Sequence, residues 1–319
     1  METRYQYTVC HGSGNRFVML DTVGREDLFQ GRGVDFNAWA AQLCASQTPI
    51  GGTDGLLVLI RFGGGYAMRM FNPDGSEAEM CGNGIRCAAR QARKYTLSDR
   101  FCVWSGGREY AMTRERALWP GVETYGAEIP VWLQSPDFGF CNRGEKFVGR
   151  IIPSLSPELK FTALSLGNPH ITACVEHIDY GLLEELGERV KQLRNEFPSG
   201  INVSLFEHRA PQRIFVATYE RGAGITASCG TAMTASATAA ALLNLVGFGT
   251  EMEVCNRGGM VRCLPRRIDG QLITRLTGNA TFEHQGTFAA DSQNISDITP
   301  ENRFESEIAA YDAFAASIR

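Results

Sequence analysis

The chain has 319 residues, of which 44% are hydrophobic and 21% charged, with a formal net charge of −4. This length suits two domains with a buried core in each, and the composition is that of a globular protein. A negative net charge does not attract nucleic acid or an anionic membrane surface, so we expect neither as a partner. A small-molecule partner is expected instead.

The first residues, METRYQYTVCHGSG, lack the basic start and apolar run of a secretion signal. No segment reaches the roughly 18 consecutive apolar residues of a membrane helix. We therefore expect a cytoplasmic protein, whose ten cysteines stay reduced. Since neither a C-x-x-C nor an H-E-x-x-H spacing occurs, no metal site is predicted.

Short β-rich segments outnumber helical ones along the chain. In chain order the pattern predicts strand Tyr5–Val9, helix Phe36–Ala45, strands Leu56–Phe62 and Tyr66–Phe71, helix Gly84–Tyr95, strands Phe161–Leu166 and Ile171–Val175, helix Tyr180–Asn195, strands Ile201–Phe206 and Arg213–Tyr219, and helix Gly230–Val246. Asp35 and Asp179 are the expected N-caps of the first and third helices. This order predicts an α+β fold rather than regular βαβ units.

A weak internal repeat is the most informative feature of the sequence. A Cys-Gly-polar triplet opens a helix of small residues twice, as CGNGIRCAAR from Cys81 and as CGTAMTASAT from Cys229, 148 residues later (229 − 81). Each half of the chain thus delivers one cysteine to a helix start, which predicts two similar domains. The stretch from Trp119 to Pro130 is the expected boundary. The residues from about Ala289, with a short helical pattern near Glu305, are predicted to be peripheral.

A cysteine at a helix N-terminus has an unusual environment. Unpaired backbone N–H groups and the positive end of the helix dipole favour thiolate, so we expect a lowered pKa for Cys81 and Cys229. The same N–H groups suit an anion such as a carboxylate, and Gly82 and Gly230 allow close backbone approach. The two helix starts together predict a site for an amino-acid carboxylate.

Two such thiols also suit the inversion of a stereocentre. A proton must leave one face of the carbon while another arrives on the opposite face, which one thiolate and one thiol can achieve. The developing negative charge needs donors aimed at the carboxylate, and the helix starts provide them. This chemistry requires neither pyridoxal phosphate nor any other cofactor, so none is predicted.

Five ordered motifs resemble those of the diaminopimelate epimerase family. They are HGSGNRFVMLD, FNPDGSEAEMCGNGIRCAAR, GNPH, INVSLFE and YERGAGITASCGT, and they extend over roughly Tyr5 to Thr287. The resemblance implies two pseudo-symmetric barrel-like domains, each wrapped around a central helix, with the active site in the cleft between them. It further implies a homodimer and a discontinuous first domain, residues 1–127 plus 285–319, with residues 128–284 as the second.

The resemblance also implies roles for individual residues. Cys81 and Cys229 match the family's acid/base pair. Residues that match the donors to the reacting α-carboxylate are Gly82, Asn83, Gly230 and Thr231, and those that match the remaining substrate contacts are Asn15, Asn72, Asn168, Asn202, Glu220 and Arg221. In the last pair the carboxylate suits an ammonium and the guanidinium suits a carboxylate. His170 matches a supporting position near the site.

Three residues depart from the family pattern. Arg16 replaces the usual Asp after HGxGN, Ile225 replaces Glu and Ala232 replaces Gly. Both cysteines remain, so the expected reaction is interconversion of LL- and meso-diaminopimelate for lysine and peptidoglycan synthesis. The alternatives are a cofactor-independent racemase of another amino acid and a non-catalytic amino-acid-binding protein.

Overall fold

A computed structural model describes residues 3–25, 28, 33–142 and 144–318. The chain divides into two compact units, Met1–Ala127 with Gly278–Arg319, and Glu128–Thr277. The first division coincides with the boundary expected after residue 127. The return to the first unit lies at Gly278 rather than at the expected residue 285, which falls inside a strand.

In the described residues, the first part of the chain forms seven strands and two helices, followed by a strand that begins in the first unit and ends in the second. The elements are β1 (Thr3–Gly12), β2 (Asn15–Asp21), α1 (Phe36–Leu43), β3 (Leu56–Phe62), β4 (Gly65–Phe71), β5 (Glu77–Ala78), α2 (Gly82–Ala92), β6 (Arg100–Ser105), β7 (Arg108–Arg114) and β8 (Thr124–Val131). A single 3-10 turn, Arg93–Tyr95, extends α2.

The described part of the second unit continues with nine strands and two helices. These are β9 (Arg150–Ile152), β10 (Ser156–Ser165), β11 (Pro169–Cys174), α3 (Tyr180–Gln192), β12 (Asn202–Ala210), β13 (Arg213–Glu220), β14 (Gly224–Thr226), α4 (Gly230–Leu242), β15 (Met252–Asn256), β16 (Gly259–Ile268) and β17 (Gln271–Asn279). The chain then returns to the first unit as β18 (Thr281–Ala290), β19 (Ile295–Arg303) and α5 (Glu305–Ile318).

Both units repeat one strand order, which explains the internal repeat of the sequence. In the first, β2 pairs in parallel with β3 and β4 with β6, while β1–β2, β3–β4 and β6–β7 are antiparallel. In the second, β11–β12 and β13–β15 are parallel, while β10–β11, β12–β13 and β15–β16 are antiparallel. Helices form the crossovers that parallel strands require. The predicted α+β fold with two similar units is confirmed.

The helices α2 and α4 lie at the centre of their respective units. Every residue of α2 except Arg90, and every residue of α4 except Leu242, is buried. Small side chains allow strands to pack around them: a Cβ on Gly84 would lie 2.9 Å from Cδ2 of Leu57. The hydroxyl of Thr234 is satisfied by the carbonyl of Gly230. Each central helix is thus enclosed by its own unit from its first residue onward.

The crossover helices α1 and α3 start at the expected aspartates. The side chain of Asp35 accepts from the backbone N–H groups of Asn37 and Ala38, and that of Asp179 accepts from Gly181 and Leu182. Each helix buries one apolar face, with Trp39 fully buried in the first unit. A separate core that includes Phe161 and Leu183 fills the second unit. These helices stabilise the outer side of each sheet.

The C-terminal segment is not peripheral, so that expectation is wrong. Helix α5 runs from Glu305 to Ile318 and buries Tyr311 and Phe314 at 6% and 2% exposure. The carboxylate of Glu307 binds Arg90 of α2 through two hydrogen bonds of 2.6 Å. Aromatic burial and this ion pair fix the helix to the first unit.

Candidate active site

In the first unit, Cys81 is the N-cap of α2. Its backbone is extended, and its Sγ accepts the backbone N–H of Gly84 at 3.3 Å. The Oδ1 atom of Asn15, at the start of β2, lies 3.9 Å from Sγ of Cys81 and accepts from Nδ2 of Asn83 at 3.3 Å. The structure therefore brings Cys81, Gly82, Asn83 and Asn15 together at one helix start.

A buried guanidinium supports this helix start from within α2. Arg86 is fully buried, and its Nη1 donates to the carbonyl oxygen of Gly82 at 2.7 Å. Its Nη2 donates to Oδ1 of Asn83 at 3.1 Å and to Oγ of Ser13 at 3.3 Å, while Nε donates to the carbonyl oxygen of Asn279 at 3.1 Å. One side chain thus links the HGSG loop, α2 and the end of β17.

The loop before Asn15 is shaped by its glycines and by His11. A Cβ on Gly12 would lie 2.8 Å from Nη2 of Arg86, and Gly14 has a φ of 78°, which favours glycine. Burial lowers the pKa of His11 to about 4. Its Nδ1 accepts hydrogen bonds from Gly14 and Asn279, which agrees with a neutral imidazole.

Asn72 lies in a turn at the end of β4. Its side chain donates to Oγ of Ser76 at 2.9 Å, and its carbonyl oxygen accepts from Gly75. Residues Asn72 to Gly75 thus form a β-turn, as the sequence Asn-Pro-Asp-Gly favours. The hydrogen bond to Ser76 connects Asn72 with its own turn rather than with the helix start of Cys81, so the structure leaves its substrate role a prediction.

In the second unit, Cys229 is the N-cap of α4. Its Sγ lies 3.5 Å from Oγ1 of Thr231, which accepts from Nδ2 of Asn168 at 3.3 Å. His170, fully buried, places its Nε2 3.0 Å from Oδ1 of Asn168. The structure therefore brings Cys229, Gly230, Thr231, Asn168 and His170 together.

The expected low pKa is wrong for Cys229. Burial is the largest cause that raises the pKa of this thiol well above its ordinary value, and the negative charge of Glu220 adds to it. Hydrogen bonds from Thr231 and from the backbone N–H of Ala232 act in the opposite direction. Desolvation therefore outweighs the helix start, since a buried thiolate loses its hydration.

Glu220 and Arg221 occupy the end of β13 and the residue after it. The carboxylate of Glu220 accepts a hydrogen bond from the hydroxyl of Thr226. The backbone N–H of Arg221 donates to Oδ1 of Asn202 at 2.9 Å, and its Nη1 donates to the carbonyl oxygen of Ser199 at 2.6 Å. Both charges are thus oriented within the second unit.

The similarity of the chain to known proteins identifies its family. A family model described as diaminopimelate epimerase matches residues 7–115 and 162–283. A diaminopimelate epimerase from Clostridium acetobutylicum is 36% identical over 96% of this chain and 92% of its own length. One from Ligilactobacillus salivarius is also 36% identical, over 97% of this chain and 98% of its own. The chain belongs to the diaminopimelate epimerase family.

Solved structures with the same fold are more distant in sequence. A Bacillus anthracis protein of the phenazine biosynthesis PhzF family has a TM-score of 0.64 and 14% identity, covering 89% of this chain and 99% of its own. A hydroxyproline epimerase from Agrobacterium vitis, with bound trans-4-hydroxy-L-proline, has a TM-score of 0.59 and 13% identity, covering 91% and 92%. At this identity they show the fold alone, and they place the chain in the architecture expected from its motifs.

Arg16 shows how the chain accommodates one departure from the family pattern. Its guanidinium pairs with the carboxylate of Glu283 through contacts of 2.8 to 3.0 Å, and its Nη1 donates to the carbonyl oxygen of Gly52 at 2.8 Å. The positive charge that replaces the family's Asp is therefore held by an acidic partner on β18. Ile225, the second departure, is half-buried in β14.

Two residues of the site were missed from the sequence. Arg86 gives a signal, because it is a charged residue between Ile85 and Cys87 on a helix expected to lie at the centre of its domain, and it must therefore find buried partners. Asn279 gives none, because its neighbours His11 and Arg86 are far away along the chain. Among the described residues, no group of three or more His, Cys, Asp or Glu side chains could hold a metal ion. None of the described helices has the length and apolar character needed to span a membrane.

Proposed function

We propose that this chain interconverts LL- and meso-diaminopimelate, with Cys81 and Cys229 as its acid/base pair. The observation that carries the proposal is that each compact unit caps the start of its central helix with one of these cysteines. The similarity to diaminopimelate epimerases along nearly the whole chain supports the substrate.

The two thiols share the proton transfer in this proposal. One sulfur, as thiolate, takes the α-proton, and the other, as thiol, gives a proton to the opposite face of the carbon. The roles exchange in the reverse direction. The raised pKa of Cys229 suits the acid in one direction, and the hydrogen bond from Thr231 supports it as the base in the other. One turnover leaves the protonation states of the two sulfurs exchanged, which is the state that the reverse direction requires, and no cofactor takes part.

The helix starts hold the reacting end of the substrate in this proposal. Backbone N–H groups at Gly82, Asn83, Gly230 and Thr231 donate to the α-carboxylate, where negative charge develops as the proton leaves. The remaining substrate contacts come from Asn15, Asn72, Asn168, Asn202, Glu220 and Arg221, most of them around the distal amino-acid end. In this set Glu220 is the partner for an ammonium and Arg221 for a carboxylate.

Proton exchange in deuterium oxide tests the reaction. The purified chain should incorporate deuterium at the α-carbon of both LL- and meso-diaminopimelate and bring the two to equilibrium. Activity should persist after dialysis against EDTA and without pyridoxal phosphate. Exchange that is lost on chelation and restored by a metal would contradict the thiol mechanism.

Single-cysteine variants test the acid/base pair. Cys81→Ala and Cys229→Ala should each lower epimerisation by about 10² to 10⁴-fold, because each thiol takes part in both directions. Elimination from a β-halogenated analogue needs only one base, so the two variants should keep activity toward opposite configurations. Cys174→Ala is the matched control, since Cys174 is exposed on β11. Near-normal epimerisation by either variant would contradict the proposal.

A second candidate function is racemisation of another amino acid. The observation that favours it is the pair of side-chain changes at Arg16 and Ile225, which alter charge near proposed substrate contacts. Exchange with proline or histidine but not with diaminopimelate would establish it. Binding of an amino acid with no exchange at all would instead indicate a non-catalytic binding protein.

The proposal extends to location and assembly. We propose a cytoplasmic homodimer that acts on a small amino acid and binds neither nucleic acid nor membrane. A role in forming precursors of lysine and peptidoglycan supports the location, and the family resemblance supports the dimer. Cell fractionation and light scattering of the full chain test these two points.

A further inference from the structure

A pocket of the first unit lies beside the last turn of α2, at the opposite end of this helix from Cys81. Its volume is about 600 Å³, within the range of about 300 to 1,000 Å³ that small-molecule sites occupy. Gln91, which lines the pocket, follows Cys81 by ten residues (91 − 81), about 15 Å along the helix axis. The pocket is therefore separate from the helix start that carries the cysteine.

Three buried polar side chains line this pocket, and each carries an atom without a partner. Tyr7 is 1% exposed, Trp39 is fully buried and Gln91 is 6% exposed. In the described part of the chain, the hydroxyl of Tyr7, Nε1 of Trp39 and Oε1 of Gln91 make no hydrogen bond. Buried polar atoms are nearly always paired, because an unpaired one loses its hydration without gaining a partner. Three such atoms around one pocket indicate that its occupant pairs with them.

The identity of these atoms defines what the occupant must offer. Nε1 of Trp39 only donates, so it needs an acceptor. The amide of Gln91 is fixed, because its Nε2 donates to Oδ2 of Asp21 at 2.6 Å and a carboxylate only accepts, so Oε1 needs a donor. Burial, with the negative charge of Glu301, raises the pKa of Tyr7 to about 12, so its hydroxyl stays protonated. Hydroxyl groups on the occupant can accept from Trp39 and donate to Gln91.

Asp21 does not require a cation in the pocket, because its carboxylate already has donors. Oδ2 accepts from Nε2 of Gln91 and from the hydroxyl of Tyr95, each at 2.6 Å. Oδ1 accepts from the backbone N–H of Val23 at 3.1 Å. These three hydrogen bonds stabilise the carboxylate without an ammonium group from a ligand.

The other charged residues of the lining are exposed or engaged. Arg4, Lys94 and Glu301 are exposed, so water hydrates their charges. The guanidinium of Arg25 lies over the ring of Tyr5, 5.6 Å from its centroid. An ionised ligand group at the three unpaired atoms would lose its hydration among uncharged side chains, which is costly. The lining therefore favours an uncharged occupant.

The walls of the pocket combine apolar rings with space beside one hydroxyl. A Cβ on Gly286, which lines the pocket, would lie 2.5 Å from the hydroxyl oxygen of Tyr7, so the glycine leaves that space open. The rings of Tyr5 and Trp39, with centroids 4.9 Å apart, line the pocket together with Met19. Such rings provide an apolar surface against which the C–H groups of a sugar ring can pack.

We propose that this pocket binds an uncharged, polyhydroxylated molecule of about the size of a monosaccharide, whose hydroxyl groups pair with Trp39, Gln91 and Tyr7. Apolar surface with a few fixed polar groups is the usual composition of a small-molecule site. The pocket shares no residue with the proposed acid/base pair or with the proposed substrate contacts. The inference therefore goes beyond the proposed epimerase function and does not depend on it.

The indole N–H of Trp39 reports directly on occupancy. The chain has four tryptophans, and the other three, Trp104, Trp119 and Trp132, are at least partly exposed. Replacing each of these three by Phe assigns the Trp39 resonance by elimination in the ¹⁵N-labelled full chain. Titration with D-glucose, D-ribose and myo-inositol should shift that resonance saturably for at least one of the three, whereas glycine and inorganic phosphate should leave it unchanged.

The titration can fail in two ways. The absence of a saturable shift with all three neutral probes would overturn the proposal and indicate that water alone fills the pocket. A shift with glycine or phosphate but with no neutral probe would overturn it as well, because the ligand would then be charged.

Tyr7→Phe tests the assigned contacts with little effect on the fold. The hydroxyl has no partner in the described residues, so its removal should leave the urea midpoint and α-proton exchange unchanged. Binding of the neutral probe should weaken by about threefold to tenfold, because one hydrogen bond to the ligand is lost. Tyr125→Phe is the matched control, since Tyr125 is also buried in the first unit but does not line the pocket. Unchanged affinity of the Tyr7→Phe protein would contradict the proposed pairing.

Discussion

The guanidinium of Arg86 donates to the side-chain carbonyl oxygen of Asn83, one turn earlier on α2, at 3.1 Å. This contact fixes the amide group of Asn83, so its Nδ2 faces Oδ1 of Asn15. The orientation of both asparagines beside Cys81 therefore depends on a side chain that is itself fully buried. A supporting residue of this kind determines geometry without touching the substrate.

The first prediction follows from this contact. Arg86→Met fills a similar volume but removes the hydrogen bonds that the guanidinium donates to the carbonyl oxygens of Gly82 and Asn279, so we expect a loss of about 2 to 5 kcal/mol in unfolding free energy. Epimerisation should fall about tenfold or more in the protein that remains folded, because Asn83 and Asn15 lose their fixed orientation.

Urea denaturation and the exchange assay measure the two effects. Arg69→Met is the control: Arg69 pairs with Glu77 at half-exposed positions, so its loss should cost less than about 1 kcal/mol. Equal effects of the two substitutions would contradict a special role for Arg86.

The second prediction concerns the close approach of Gly278 to Arg86. A Cβ at residue 278 would lie 2.8 Å from both Cζ and Nε of the guanidinium, so Gly278→Ala should destabilise the chain by about 1 to 3 kcal/mol. Gly65→Ala, where the nearest atom is 3.7 Å away, should be tolerated. In an Arg86→Met background the cost at residue 278 should shrink, and denaturation of the double variant measures that coupling.

Local chemistry explains how much of the fold could be predicted from sequence. The cysteine-bearing helix starts were found because Gly82 and Gly230 follow a strand-rich stretch and precede runs of small residues. The N-caps Asp35 and Asp179 were identified for a similar reason, since a short acidic side chain before an apolar period is a local signal. The family assignment from ordered motifs is confirmed.

The features that could not be predicted from the sequence depend on contacts between residues that are far apart along the chain. Strand β2 was not predicted because the motif HGSGN dominates its start, and β15 to β17 carry many polar residues on their exposed faces. The low pKa expected for Cys229 failed because burial and Glu220 depend on tertiary packing. The polar and irregular residues from about Ala289 predict a peripheral segment, yet Tyr311 of α5 packs on His11.

The third prediction tests that helix. The ring centroids of Tyr311 and His11 are 4.3 Å apart, so α5 covers the loop that leads to Asn15. Tyr311→Ala should cost about 3 kcal/mol in unfolding free energy by opening a cavity, and should also lower epimerisation. Glu305→Ala, at a side chain of 74% exposure, is the control and should be neutral. A Tyr311→Ala protein with unchanged stability would show that α5 does not support this loop.

The last prediction concerns stability at mildly acidic pH. In the folded chain the pKa of His11 is about 4 and that of His170 about 3, each lowered from 6.5 mainly by burial. Above pH 6.5 both folded and unfolded forms are neutral at these residues, so the stability is fully present. As the pH falls from 6.5 toward 4, only the unfolded chain binds these protons, and stability is lost by up to about 1.4 kcal/mol per pH unit for each histidine.

Urea midpoints at pH 7 and pH 5 should therefore differ, with the chain less stable at pH 5. His11→Gln removes one titrating group and should reduce that difference, although it also lowers the stability at pH 7 by disturbing the hydrogen bonds from Gly14 and Asn279. His208→Gln is the matched control because His208 is exposed, so the pH difference should persist. If His11→Gln leaves the difference unchanged, the charge of His11 is not what destabilises the folded chain in acid.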